Sequence, residues 1–238
     1  MKNHYHPRPN GVVGMTTGRG RIIAIEGIDQ AGKRTQANLL AEKLKRTGNR
    51  VSVWNFPDYT TPLGKQLRAY LRGSVHLDPH AVHLLYAANK WEAADKLASS
   101  IEGGKVAIVN RYTPSNLAYG IAHGLPRDWL LALEEGLPKP DLVVVLDVSP
   151  RISQQRKRRG RDVHETDLTY LNEVRRAYIS LAKRYEWSVV DGRGDVQKVR
   201  ESVWARVTTA LRRVPERRGS RLHLSKPIRS PRALLPAP

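Results

Sequence analysis

Apolar residues in this chain follow two patterns. Short continuous runs at Ile22–Ile25, Val106–Val109 and Leu142–Val148 predict strands buried on both faces, the last of them apolar throughout except for Asp147. Val51 to Phe56 alternates and predicts a further strand that Pro57 stops, and Ser188 to Val190 predicts a last short one. Between the runs the spacing becomes helical. Ala37, Leu40, Ala41 and Leu44 lie at i, i+3, i+4 and i+7, and Gly48-Asn49 closes that helix. Thr61-Pro-Leu-Gly64 turns into a helix through Leu67 and Leu71. Pro79 suits the first turn of a long helix reaching about Glu102, which Gly103-Gly104 ends. Residues 114–136 read as helix with a break near Gly124 to Pro126. Arg151 to Arg159, Leu168 to Tyr185 and Gln197 to Leu211 complete the helices.

Strands thus alternate with helices along the chain. That order predicts an α/β fold, an open parallel sheet with helices on both faces, in which ligands bind at the carboxyl ends of the strands. The polar clusters fall at those ends: Gly27 to Arg34, Phe56-Pro57, Asn110-Arg111-Tyr112 and Asp147. Asp147 alone reads as a structural hydrogen-bond acceptor.

The segment from Gly27 to Lys33 spells G-x-x-x-x-G-K between a buried strand and a helix. Such a loop aims backbone N–H groups and a positive helix end at one point, where phosphate oxygens bind, and Lys33 adds a mobile charge. The position after the lysine is ordinarily Ser or Thr, a ligand for Mg²⁺. Here it is Arg34, followed by Thr35.

Composition narrows the picture. The 238 residues include no cysteine, which excludes disulfides, thiolate metal sites and cysteine nucleophiles and suits a reducing compartment. No apolar run approaches the ~18 residues of a membrane span, and the first 20 residues lack the apolar stretch of a secretory signal. Of the net charge of +19, residues 1–20 carry +3 and residues 212–238 carry +7, leaving +9 between them. The predicted organisation is therefore a flexible leader (1–20), a nucleotide-binding domain (21–211) and a basic Pro-rich tail (212–238). Positive charge of this size favours anionic partners, and non-specific adhesion of the tails to nucleic acid is expected.

Six motifs in order extend across nearly the whole domain: Glu26 to Gln36, Phe56-Pro-Asp-Tyr59, Leu84 to Glu92, Asn110 to Tyr119, Pro140 to Val148, and Arg156 to Glu165 followed by Val174 to Tyr178. Together they resemble the thymidylate kinase family, with a P-loop kinase fold. The resemblance implies ATP-dependent phosphorylation of dTMP to dTDP with Mg²⁺, in a cytoplasmic homodimer, with the helix from Pro79 as a candidate dimer face. It implies that Gly27, Ile28, Asp29, Gln30, Ala31, Gly32, Lys33, Arg34 and Thr35, with Arg156, hold ATP, with Lys33 on the transferring group. Phe56, Tyr59, Tyr86, Lys90, Asn110, Arg111, Asn116 and Tyr119, with Asp29, would hold dTMP. In that scheme Tyr86 stacks on the base, Lys90 and Asn116 contact its edge, Tyr119 packs on the deoxyribose, and Tyr59 and Arg111 bind the acceptor phosphate. Asp29 and Glu165 are the carboxylates placed for Mg²⁺.

Residues 151–165 resemble the family's lid. Because the loop position Gln30 is uncharged, the catalytic arginine is expected from the lid, as Arg158 or Arg159. Asn110 departs from the aspartate of the family's Asp-Arg-Tyr motif. With Arg34, that departure supports the alternative reading, a weakly catalytic or non-catalytic relative acting with nucleic acid or a protein partner. A kinase for another pyrimidine monophosphate is the nearer alternative.

Overall fold

The computed structural model describes residues 19–156 and 167–213. Its centre is a parallel sheet of five strands: β1 (Arg21–Glu26), β2 (Val51–Asn55), β3 (Val106–Asn110), β4 (Leu142–Asp147) and β5 (Ser188–Asp191), in the order β2-β3-β1-β4-β5. The most apolar runs occupy the middle. Ile23 of β1 pairs with Ile108 of β3 and Leu142 of β4, and Ile22, Ala24, Ile25, Ile108 and Val144 are sealed from solvent. The alternating β2 forms one edge and is only partly buried, as its pattern predicted.

Nine helices are described: α1 (Lys33–Arg46), α2 (Pro62–Leu71), α3 (Pro79–Trp91), α4 (Ala94–Glu102), α5 (Thr113–Ala122), α6 (Arg127–Leu133), α7 (Pro150–Arg156), α8 (Leu168–Arg184) and α9 (Val196–Arg213). Helix α1 packs on β1, β2 and β3 and beside α9, which packs on β4 and β5. Helix α8 contacts the same two strands and runs along α5. None of the described helices is long and apolar enough to cross a membrane.

One predicted element is corrected. The single helix expected from Pro79 to about Glu102 is two, α3 and α4, because the backbone turns at Glu92-Ala93, where Ala93 N–H bonds Lys90 O. The cause is polar. Asn89, in the last turn of α3, donates to Glu92, Thr61 and Asp58 O and accepts from Asp58 N–H. Those bonds hold the end of α3 against the turn before α2, and the turn lets α4 bury Ala94, Leu97 and Ile101 as a separate face. The break predicted near Gly124 separates α5 from α6. At the amino end Gly20 N–H already bonds Ile101 O, so the last residue of the expected leader is tied to α4. Residues 1–18, 157–166 and 214–238, with most of both tails and the lid beyond Arg156, lie outside the described residues.

The turn before α2 is packed backbone to backbone. A Cβ on Gly64 would lie 1.8 Å from Asp58 O. No rotamer relieves such a contact, so Gly64→Ala is expected to lower unfolding free energy by about 2–4 kcal/mol, read as a lower urea midpoint at unchanged slope.

Candidate active site

Residues 27–32 join β1 to α1 through positive φ at Gly27 (133°), Gln30 (56°) and Gly32 (95°). A side chain on Gly27 would meet Leu146 O at 2.5 Å, so the loop can pass β4 only as glycine. The curl ends at the amino terminus of α1, whose N-cap is Gly32 with no side-chain cap, and this is the geometry of an anion-binding nest. Lys33 is buried and its Nζ donates to Ile28 O at 2.6 Å, folded back along the loop. Helix α7 braces the outer side. Ser153 donates to Asp29 O at 2.6 Å, and Arg156 donates to Gln30 O and Ala31 O, both at 3.2 Å, and to Gly192 O at 2.7 Å. Ile28 and Ala31 are buried, whereas Arg34 and Thr35 are exposed on the first turn of α1.

Beside the loop opens a cavity lined by Asp29, Phe56, Pro57, Tyr59, Leu71, Tyr86, Lys90, Arg111, Tyr112, Ser115, Asn116 and Tyr119. Eight of the residues predicted to hold dTMP are among them. Arg111 is ion-paired to Asp29 Oδ1 and its guanidinium lies 5.2 Å from the centre of the Tyr119 ring. Tyr119 donates to Asp29 Oδ2 at 2.6 Å. Burial alone would lower the Arg111 pKa, but the Asp29 charge lifts it well above its ordinary value. Burial drives the Tyr119 phenol well above its ordinary value, so it is a neutral donor at physiological pH. Tyr59 receives the guanidinium of Arg68 4.9 Å above its ring.

Lys90 is nearly sealed and bonds Glu134 at 2.8 Å and Tyr86 O at 3.0 Å. Burial raises the Glu134 pKa against the opposing pull of Lys90. Asn110 is the one predicted dTMP contact outside the cavity lining: its amide donates to Asn55 across the ends of β2 and β3, at 3.1 Å. Of the carboxylates named for a metal, Asp29 has each oxygen engaged, by Arg111 and by Tyr119. No cluster of three or more metal-ligating side chains occurs among the described residues. Arg158, Arg159 and Glu165 lie outside them.

Several important residues carried no role in the sequence reading. Glu26 is 0% exposed and accepts from Tyr112 N–H (2.7 Å), Ser115 (2.6 Å) and Tyr178 (3.0 Å). Its signal was a carboxylate ending an apolar strand just before the loop. Glu134, His83 and Arg68 gave no such signal, since each is an ordinary polar residue on a helix or just beyond one.

Glu26 accounts for the placement of Arg111. It fixes Tyr112 N–H, so the preceding residue must turn through a left-handed φ of 61° to send its guanidinium toward Asp29. Glu26→Gln puts an amide against donors. It is expected to cost about 2–3 kcal/mol of stability and to lower kcat with it, measured by urea unfolding and steady-state kinetics on the same preparation.

Comparison with known proteins agrees with this geometry. A sequence model described as thymidylate kinase matches residues 25–203. The thymidylate kinase of Schizosaccharomyces pombe is 42% identical over 147 residues, covering 62% of this chain and 70% of that one. The human thymidylate kinase is 32% identical over 206 residues, covering 85% and 97%. The solved structure of thymidylate kinase from Candida albicans superposes with a TM-score of 0.72 at 31% identity, over 82% of this chain and 93% of that one.

Proposed function

The chain belongs to the thymidylate kinase family and is a phosphotransferase that makes dTDP from dTMP and ATP; we propose that the loop at residues 27–34 holds the ATP phosphates and that the adjoining cavity holds dTMP. The observation that carries this assignment is Asp29. It belongs to the phosphate loop and at the same time, through Arg111 and Tyr119, to the wall of the cavity. Donor and acceptor phosphates would then meet at one carboxylate-anchored arginine.

Two anions approaching in line repel each other, and fixed cations and N–H dipoles offset that repulsion without reorganising. Lys33 is the cation on the donor side and swings from Ile28 O to the transferring phosphoryl group. Arg111, with Tyr59, takes the acceptor phosphate. Tyr86 stacks on the base, Asn116 and Lys90 read its edge, and Tyr119 packs on the sugar where a ribose 2′-OH would crowd it. Arg156 braces the loop from α7, and the expectation that Arg158 or Arg159 serves the transferring group stands with this proposal.

Mg²⁺ enters as the Mg·ATP substrate, held by the phosphates, while Asp29 serves to orient Arg111 and Tyr119. The protein is read as cytoplasmic and homodimeric. Leu84 and Trp91, each more than 40% exposed on α3, support that helix as the dimer face. Non-specific binding of nucleic acid through the basic tails accompanies this reading. The non-catalytic alternative is not favoured, since the donor loop, the bridging Asp29 and the cavity are all in place.

The assay is ADP formation from Mg·ATP with dTMP, dUMP, dCMP or UMP as acceptor. The expected order puts dTMP first and UMP last, and faster turnover of another monophosphate would overturn the assignment of the base pocket. Asp29→Asn is expected to raise KM for dTMP and to lower kcat/KM about tenfold or more. Its Mg²⁺ requirement stays unchanged, and a shifted Mg²⁺ titration would place the ion on Asp29 instead.

A further inference from the structure

Asn116 lies at the end of a hydrogen-bond chain whose direction is set by the His83 backbone carbonyl. Its Nδ2 is 3.3 Å from His83 O and its Oδ1 is 2.7 Å from His83 Nδ1. A carbonyl only accepts, so the amide nitrogen faces it, Oδ1 faces the imidazole, and Nδ1 carries the proton. His83 Nε2 is then an acceptor, and His123 Nδ1, 3.0 Å away, must donate to it. At the far end Tyr170 donates its hydroxyl to Tyr119 O at 3.1 Å. The Tyr170 oxygen, 3.3 Å from His123 Nδ1, shares that single N–H only as a second and weaker acceptor. The reverse direction would set Asn116 Oδ1 against His83 O. The His83 carbonyl therefore fixes the polarity from Asn116 through His83 to His123.

The inner end of the chain, Asn116 and His83, is buried, and His123 and Tyr170 are partly so. His83 is 0% exposed, and the His123 ring stacks on Tyr170 with centroids 4.5 Å apart. Asn116 gives one amide hydrogen to His83 O, and the Glu134 carboxylate attracts the amide from the other side. Its Oδ1 keeps acceptor capacity for the cavity. Lys90, held by Glu134 in the same wall, supplies a donor beside it. An acceptor next to a cationic donor matches a pyrimidine edge with N3–H beside a carbonyl. It mismatches the 4-amino edge, where N3 accepts and the exocyclic group donates.

We propose that the His83–His123–Tyr170 chain is a positioning device that holds the Asn116 carbonyl oxygen toward the acceptor base and thereby selects a pyrimidine protonated at N3. This inference rests on dTMP occupying the cavity. Without His83 the amide can turn over and offer its nitrogen, and the selection weakens.

The probe is 5-methyl-dCMP, which keeps the methyl group, sugar and phosphate of dTMP and changes only the base edge. The wild type is expected to prefer dTMP by about 100-fold or more in kcat/KM. His83→Phe narrows that ratio about tenfold through KM for dTMP, with KM for ATP unchanged. His83→Asn, whose amide can donate from near the position of Nδ1, restores most of the ratio. Tyr170→Phe keeps the ring on His123 and removes the hydroxyl, and it is expected to lower the ratio about threefold even if the His83 variants do not fold. A dTMP preference that is intact in the wild type and unchanged in Tyr170→Phe and in folded His83→Phe overturns the positioning role alone. A wild type that does not discriminate between the two nucleotides overturns the assignment of the cavity as well.

Discussion

The Glu26 carboxylate is the constraint on which the active site depends. A charged group with no solvent contact is tolerated only where hydrogen bonds replace the water it has lost. Glu26 receives them from the Tyr112 backbone and from the Ser115 and Tyr178 hydroxyls, whose oxygens lie 2.8 Å apart. Those donors belong to the β3–α5 turn, to α5 and to α8. One side chain at the end of β1 therefore fixes both the turn that carries Arg111 and helix α8. The backbone cost of a left-handed arginine, on the order of 1 kcal/mol, is offset by this anchoring.

The electrostatics follow from that placement. Arg111 is held between Asp29 and the Tyr119 ring, so its charge is fixed before any substrate arrives. A guanidinium already oriented by a carboxylate reorganises little when a phosphate binds. The same economy holds deeper in the cavity, where Lys90 and Glu134 form a buried pair. The pair adds no net charge to the cavity but provides a directed donor. In the proposed assignment the cationic excess is kept for the phosphates, and the base meets a wall of no net charge.

Much of the frame was legible in the sequence because it depends on apolar continuity. Runs such as Ile22–Ile25 and Leu142–Val148 can be buried on both faces only in a central parallel strand, and the glycine loop between a strand and a helix has few other uses. What the sequence did not reveal is polar burial. Nothing in the string names the partners of Glu26 or Glu134, because the donors to Glu26 lie 86–152 positions away and Lys90 lies 44 from Glu134. The break between α3 and α4 was hidden for the same reason. It depends on Asn89 bonding a turn 28–31 residues earlier.

The asparagine at position 110 has a local structural logic. Asn55 and Asn110 are register partners at the ends of β2 and β3, and the Asn110 amide donates to the Asn55 carbonyl oxygen. An aspartate at 110 would turn an acceptor toward that oxygen, so the two side chains are matched to each other. The link clamps the strand ends immediately before Phe56 and Arg111, both of which line the acceptor cavity. With Asn110 neutral, Asp29 is the one carboxylate lining the cavity among the described residues, and Arg111 is its counter-ion. The negative charge that an Asp-Arg-Tyr sequence would place beside both phosphates is absent here, which lowers the local repulsion toward the two anions and makes the Asp29–Arg111 pair the principal electrostatic device of the cavity.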